Sequence, residues 1–270
     1  MELSALRGFG FDLDGCIWAG PTLLPGARDL VEALRGEGRG VVFVTNSSRE
    51  RSAQIAARLT RLGIPAGPGD VLAALDLLGE TIRRRMGPTA VLPLGTREMN
   101  DVLEASGHRV VGFDGWREAR AVAVGNDPAF DFARLRAASR AVAAGATLFT
   151  VNLDARLPVA PGEFDPGCGA LAEAVAVAGG ARPVVVGKPH APIFEMALER
   201  LGCRPPEAAM VGDSLTTDIA GGRAAGMATV WVDAAGDRRE PGQADVVVGS
   251  LVELVESWRA ARRCHRPKAV

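Results

Sequence analysis

Residues 8–17 read GFGFDLDGCI. GFGF runs without a charge into Asp12, and Gly15 follows two residues after Leu13, where the chain can turn sharply and let a ligand approach. The pattern predicts a strand buried on both faces that ends in a polar loop. Asp12 and Asp14 are two apart, so in extended chain both project to the same side. Carboxylates that close repel unless a cation or a shared proton holds them. A hard divalent ion such as Mg²⁺ suits such a pair, with waters and substrate oxygens completing its shell. Two polar turn residues after a strand are the plainer alternative.

Outward from this stretch the same pattern repeats. Short runs rich in Val, Ala and Phe stand at 8–11, 41–44, 90–94, 110–113, 121–124, 147–150, 184–186, 208–211, 229–232 and 246–248. Between them lie segments with helical apolar stripes, such as Leu30, Val31 and Leu34, then Ile55, Leu59 and Leu62, then Ile193, Met196, Ala197 and Leu201. Gly63, Gly107, Gly145 and Gly202 sit where helices should stop. Alternation of this kind predicts an α/β fold with a parallel sheet, and ligands beyond the carboxyl ends of its strands. Breaks at 83–88 (RRRMGP) and 179–183 (GGARP) bound about a hundred residues, enough for a second, inserted domain. The basic stretch from Arg262 to Val270 is expected to fray into solvent.

Three further strand ends carry chemistry-bearing residues. After 41–44 comes TNSSRE, where Thr45, Asn46 and Ser47 open a helix whose backbone N–H groups favour an anion; Ser47 with Glu50 also reads as a capping box. VVVGKPH delivers Gly187 and Lys188 to a loop, and the lysine could neutralise a phosphate. It is not a Walker A site, since position 182 is Arg and Pro189 replaces the Ser/Thr. AAMVGDSLTTDIAGGRAAGM places Asp213, Ser214 and Asp218 at a fourth strand end, with N-capping by Asp213 or Ser214 as the plainer role.

Composition narrows the function classes. The chain has 270 residues, 31 Lys+Arg against 32 Asp+Glu and a net charge of -1, so no basic field draws nucleic acid or an anionic membrane. The uncharged run 141–153 falls short of the ~18 residues of a membrane span. The N-terminal MELSALRGFGFDLDG has no basic n-region before an apolar h-region, so no signal peptide is expected. Cys16, Cys168, Cys203 and Cys264 are far apart, without a CxxC, and read as reduced thiols of a cytoplasmic protein. A dinucleotide fold needs GxGxxG after the first strand, and Leu13 stands where the third glycine belongs. A GDSL esterase would carry its motif early and a paired histidine late; here GDSL is late and only His265 follows. A noncatalytic binding protein on the same fold would be favoured by loss of Asp12, Asp14 or Lys188, and all three are present.

Taken in order, FDLDGCI, VTNSSR, GKP and GDSLTTDIAGGRAAGM resemble the four motifs of the haloacid dehalogenase-like hydrolase superfamily. GATLFTVNLDARLPVAPGEFDPGCGALAEAV is similar to the cap of its class IIA phosphatases, the group of nitrophenylphosphatase, phosphoglycolate or glycerol-phosphate phosphatase, pyridoxal phosphate phosphatase and UMP phosphatase. Cys16 stands where Thr or Val is usual, and Asn126 precedes Asp127 where many relatives have Leu or Trp.

The resemblance implies a Rossmann-like parallel-sheet core from residues 1–86 and 184–270, and an inserted α/β cap of the C2 type at 87–183. It implies an Mg²⁺-dependent phosphatase for small phosphomonoesters, with Asp12 as nucleophile and Asp14 as general acid and base. Asp12, Asp14 (through its backbone carbonyl) and Asp213 would hold the metal, with Asp218, Gly15 and Ser214 in support. Thr45, Asn46, Ser47 and Lys188 would bind the phosphoryl oxygens. Asn152 and Asp154 would belong to a loop that reads the rest of the ester. NLDARLP and PGCGAL look closer to phosphoglycolate and glycerol-phosphate phosphatases; pyridoxal phosphate or a nucleoside monophosphate is the alternative substrate. The expected partner is a small phosphorylated metabolite, not nucleic acid or membrane, and a homodimer is compatible with the pattern.

Overall fold

The computed structural model of the chain describes residues 3–160, 163–234, 236, 242 and 244–264. The chain forms two compact units, one of residues 1–45, 53–72 and 193–270 and one of 46–52 and 73–192.

The first unit is built on a six-stranded sheet in the order Val246–Val248, Ala228–Val232, Ala208–Gly212, Gly8–Phe11, Gly40–Thr45 and Val71–Ala73. The registered pairs from Val246–Val248 across to Gly40–Thr45 are all parallel. Gly8–Phe11 and Ala208–Gly212 are buried along their whole length, which is why both read as uninterrupted apolar runs. From Gly8–Phe11 the chain goes next to Gly40–Thr45 on one side, while Ala208–Gly212 lies on the other. The strand order therefore reverses at Gly8–Phe11, and the crevice beyond its carboxyl end is where such sheets take ligands. Helix Ala27–Gly36 turns Ala27, Leu30, Val31 and Leu34 inward and packs beside Leu251–Cys264. Phe9 meets Trp258 edge to face at 5.7 Å, and the Trp258 indole N–H donates to Glu37 Oε1 at 3.1 Å.

The second unit has a five-stranded parallel sheet in the order Val184–Val185, Thr147–Thr150, Ala121–Val124, Ala90–Leu94 and Arg109–Val110. Leu92, Leu94, Val122, Val124 and Leu148 form its core with Ala138, Ala141, Val142, Leu171, Ala172 and Val175 of the helices Phe132–Ala143 and Cys168–Gly179. Alanines let those helices approach closely: a Cβ at Gly179 would lie 2.7 Å from Val142 Cγ1.

The structure modifies several expectations. The run 110–113 is a strand only at Arg109–Val110; Phe113–Glu118 is a 3-10 turn around Asp114 and Gly115, both turn formers. The run 184–186 is a strand only at Val184–Val185, at the edge of the second unit's sheet. The chain beyond 155 is not a plain polar loop, since Arg156–Ala160 pairs antiparallel with Glu163–Pro166. The helix expected directly after Ser47 begins at Ser52. Of the basic C-terminal stretch, residues 265–270 lie outside the described residues.

Candidate functional site

In the first unit, Asp12 directly follows the central strand, and its backbone N–H donates to Val211 O at 2.9 Å. The carboxylate is buried, at 7% exposure. Asp213 follows the neighbouring strand, and Trp231 Nε1–H holds its backbone carbonyl at 2.9 Å. A single wide turn, Leu215–Ile219, with Ser214 as its cap, then folds Asp218 back under the strand end. Such turns with i→i+5 bonding concentrate at functional sites. Asp218 is fully buried and its Oδ2 accepts from Ser214 N at 3.2 Å. One carboxylate oxygen from each of Asp12, Asp213 and Asp218 lies within 4.8 Å of the other two.

This donor set consists of oxygens, without histidine or thiolate, and so fits Mg²⁺ better than zinc or copper. Glycine keeps the space open. Gly15 has φ +87°, and a Cβ there would lie 2.2 Å from Asp213 Oδ2; a Cβ at Gly212 would lie 2.3 Å from Asp218 Oδ2. Gly15→Ala must therefore push the Asp213 carboxylate aside and adopt a left-handed backbone. It is expected to weaken Mg²⁺ binding by roughly tenfold or more, read by calorimetric titration. An unchanged affinity would mean that Asp213 is not held there for the ion.

Asp14 stands apart from the carboxylate cluster. It is exposed, and its Oδ1 accepts the Trp18 indole N–H at 2.8 Å. Thr45, at the end of Gly40–Thr45, is buried. Cys16 is buried with its sulfur 3.8 Å from Val211 O, so the small thiol fits beneath the two strand ends.

In the second unit the side-chain amide of Asn46 pairs with the backbone of Lys188 as one peptide unit would with another. Its Oδ1 accepts from Lys188 N at 2.7 Å, and its Nδ2 donates to Lys188 O at 3.1 Å. A Cβ at Gly187 would lie 2.4 Å from Asn46 Oδ1, so glycine is what allows this approach. Lys188 is buried at 4% exposure, and an ammonium group taken from water calls for an anion. Asn152 joins the group: its Nδ2 donates to Asn46 O at 2.7 Å, and its Oδ1 accepts from Asp154 N at 3.0 Å. The second bond is an Asx turn that leaves Leu153 and Asp154 exposed. Ser47 is engaged locally, with Oγ accepting from Glu50 N at 3.0 Å. Of the expected capping box this bond forms, and it closes a turn ahead of the helix rather than capping it.

The 152–154 loop rests on residues to which the sequence reading gave no role in the site. Gly169 N donates to Asp154 O and Gly167 N to Ala155 O, both at 2.9 Å, and a Cβ at either glycine would collide with this backbone. Cys168 lies between them, with Sγ 3.2 Å from Thr150 Oγ and 3.4 Å from Val124 O. Burial pushes its thiol pKa up, so it packs as a neutral group. Arg49 Nε donates to Asn126 Oδ1 at 2.6 Å, Asn126 Nδ2 donates to Pro166 O at 3.1 Å, and Arg49 pairs with Asp165 at 3.6 Å. Arg49 is thus tied to the hairpin that follows the loop.

Comparison with known proteins gives a consistent result. The sequence profile of haloacid dehalogenase-like hydrolases matches residues 9–109, and a second, HAD-hydrolase-like profile matches residues 185–254. The chain is 36% identical to human chronophin over 259 residues, covering 92% of this chain and 88% of that one. It is 35% identical to human glycerol-3-phosphate phosphatase over 270 residues, with 88% and 83% covered. Among solved structures, p-nitrophenyl phosphatase from Archaeoglobus fulgidus superposes with a TM-score of 0.84 at 29% identity, over 93% of this chain and 99% of that one.

Proposed function

The chain belongs to the haloacid dehalogenase-like hydrolase family and is a phosphatase, and we propose that it hydrolyses small phosphomonoesters through an aspartyl-phosphate on Asp12. The observation that carries this reading is the buried Asp12 carboxylate at the carboxyl end of the central strand, grouped with Asp213 and Asp218.

In this reading Asp12 attacks phosphorus in line, which splits one hard displacement into two easier ones. Asp14 gives a proton to the departing ester oxygen and later takes one from the water that releases phosphate. Its exposure suits a group that must exchange protons. Asp12 and Asp213, with the Asp14 backbone carbonyl, would hold Mg²⁺, with Asp218 in support, and the ion would supply positive charge to offset that on the phosphoryl oxygens. Gly15 and Ser214 shape the turns that present these groups. Lys188 supplies positive charge to the phosphoryl group, and Thr45, Asn46 and Ser47 supply hydrogen bonds, the charge being stabilised where it develops.

Residues 87–183 serve as a cap, with Asn152 and Asp154 reading the part of the ester beyond phosphorus. The favoured substrates are phosphoglycolate, glycerol phosphate or a similar small ester. The relative named glycerol-3-phosphate phosphatase supports that class, and pyridoxal phosphate or a nucleoside monophosphate is the second choice. Among the described residues Cys16, Cys168 and Cys203 are in no disulfide, which suits a reducing cytoplasm. No helix among the described residues is long and apolar enough to cross a membrane.

A screen of some dozens of phosphate esters for phosphate release, with and without Mg²⁺, tests this function. Turnover of small aliphatic phosphates only with the ion supports it; no release from any ester would overturn it. The cap's role has its own test. Asp154→Ala is expected to shift relative kcat/KM among three esters of different shape by roughly ten- to a hundredfold, the effect of one leaving-group hydrogen bond. An equal loss on all three would show that the loop supports the shared machinery and does not read the ester.

A further inference from the structure

Trp18 is almost fully buried, at 2% exposure, yet its indole N–H reaches the exposed Asp14 and donates to Oδ1 at 2.8 Å. The turn between them fixes this bond. Leu13 O accepts from Ile17 N at 2.9 Å and from Trp18 N at 3.0 Å, and Gly15 N donates to Trp18 O at 2.8 Å. The Arg58 guanidinium lies over the Trp18 ring, 4.1 Å from its centroid, and Arg58 is itself tied to Gly20 O. The ring is thus held through its backbone, its burial and the cation stacked on its face.

The geometry points to Trp18 as a positioning residue that fixes which oxygen of Asp14 carries the catalytic proton. This rests on the reading of Asp14 as the group that protonates the leaving oxygen. An indole N–H is a donor only. The carbonyl oxygen of a carboxyl group accepts a hydrogen bond better than its hydroxyl oxygen does, so an N–H held on Oδ1 favours the proton on Oδ2. In the transfer, the Oδ2–H bond breaks as an O–H bond forms on the ester oxygen, and the bond from that oxygen to phosphorus breaks as phosphorus bonds to Asp12. The leaving group departs as a neutral alcohol. Asp14 is left as a carboxylate, and the Trp18 N–H, already donating to Oδ1, stabilises that charge. A carboxyl group exposed to water and lacking this bond would sample both oxygens and several rotamers.

The test uses leaving groups of different basicity. An alkyl phosphate needs the proton to leave, whereas p-nitrophenyl phosphate, with a weakly basic leaving group, does not. In the two-step reaction kcat/KM covers events up to transfer of the phosphoryl group, so it isolates the step in which Asp14 acts as an acid. Trp18→Phe keeps a ring and removes the donor. Its kcat/KM is expected to fall about tenfold for glycerol phosphate and by less than about twofold for p-nitrophenyl phosphate. Retained activity on the nitrophenyl ester also shows that the variant is folded. If Phe is not tolerated, benzothienylalanine at position 18 keeps the bicyclic ring, has sulfur in place of N–H, and should give the same split. Equal losses on both esters, or none on either, would overturn the inference and leave Trp18 as packing. Asp14→Asn is measured alongside and must show a larger split of the same sense. If it lowers both esters equally, the reading of Asp14 itself fails and the inference falls with it; a split for Asp14→Asn without one for Trp18→Phe rejects the inference alone.

Discussion

Asp12→Asn is expected to lower phosphate release by about 10⁴-fold or more, the scale of loss when the nucleophile of a covalent mechanism is removed. The fold should survive the change. The contact that seats residue 12 in the sheet is its backbone N–H to Val211 O, which asparagine retains. The new side chain has the same shape and removes one of three carboxylates that crowd within 4.8 Å. Like charges so placed repel, so in the absence of divalent ions the variant should melt at or above the wild-type temperature. Calorimetry and a phosphate assay on the same preparation test both halves, with mass spectrometry to show that position 12 has not deamidated back to aspartate. Near wild-type turnover by a folded Asp12→Asn protein would remove Asp12 from the chemistry.

Removal of divalent cations should be nearly as severe. Exhaustive chelation is expected to cost at least about a hundredfold in activity, as loss of the main electrostatic stabilisation of a transferring group does, and added Mg²⁺ should restore it. A second readout does not depend on turnover. An ion that binds the folded carboxylate cluster raises the unfolding temperature with concentration, so wild type should be stabilised by Mg²⁺, and Asp213→Asn much less so. Full activity after chelation, or a melting temperature indifferent to Mg²⁺, would contradict an ion at Asp12, Asp213 and Asp218.

Much of this was legible in the sequence because strands buried on both faces leave plain marks. GFGF and AAMVG are uncharged runs, and each is followed by an aspartate that the structure brings close to the other. Gly63, Gly107, Gly145 and Gly202 all take positive φ just beyond helix ends, as a stop signal should. What was hidden depends on spacing that no simple period describes. Asp218 carried a supporting role only through the family resemblance; the i→i+5 turn at Leu215–Ile219, which no sequence period announces, folds it back beside Gly212. Extended-chain alternation gave no sign of the Trp18 indole N–H that Asp14 Oδ1 accepts, because the chain turns after the strand. The Asn46–Lys188 pairing joins residues 142 positions apart, and nothing local in TNSSRE or VVVGKPH announces it. The pairing of Arg156–Ala160 with Glu163–Pro166 was missed because Pro158 and Pro166 argue against strands, and antiparallel pairs this short carry no long apolar run.

The central claim is a covalent phosphoryl group on one carboxylate, and chemical quench is the most direct test of it. The protein is mixed with a ³²P-labelled ester and Mg²⁺, stopped in acid within the first turnover, digested and mapped. The account predicts label on the peptide containing Asp12, released by hydroxylamine as an acyl phosphate is, and absent from Asp12→Asn. Phosphate released at full rate with no label on that peptide at any quench time, or stable label on another residue, would contradict it.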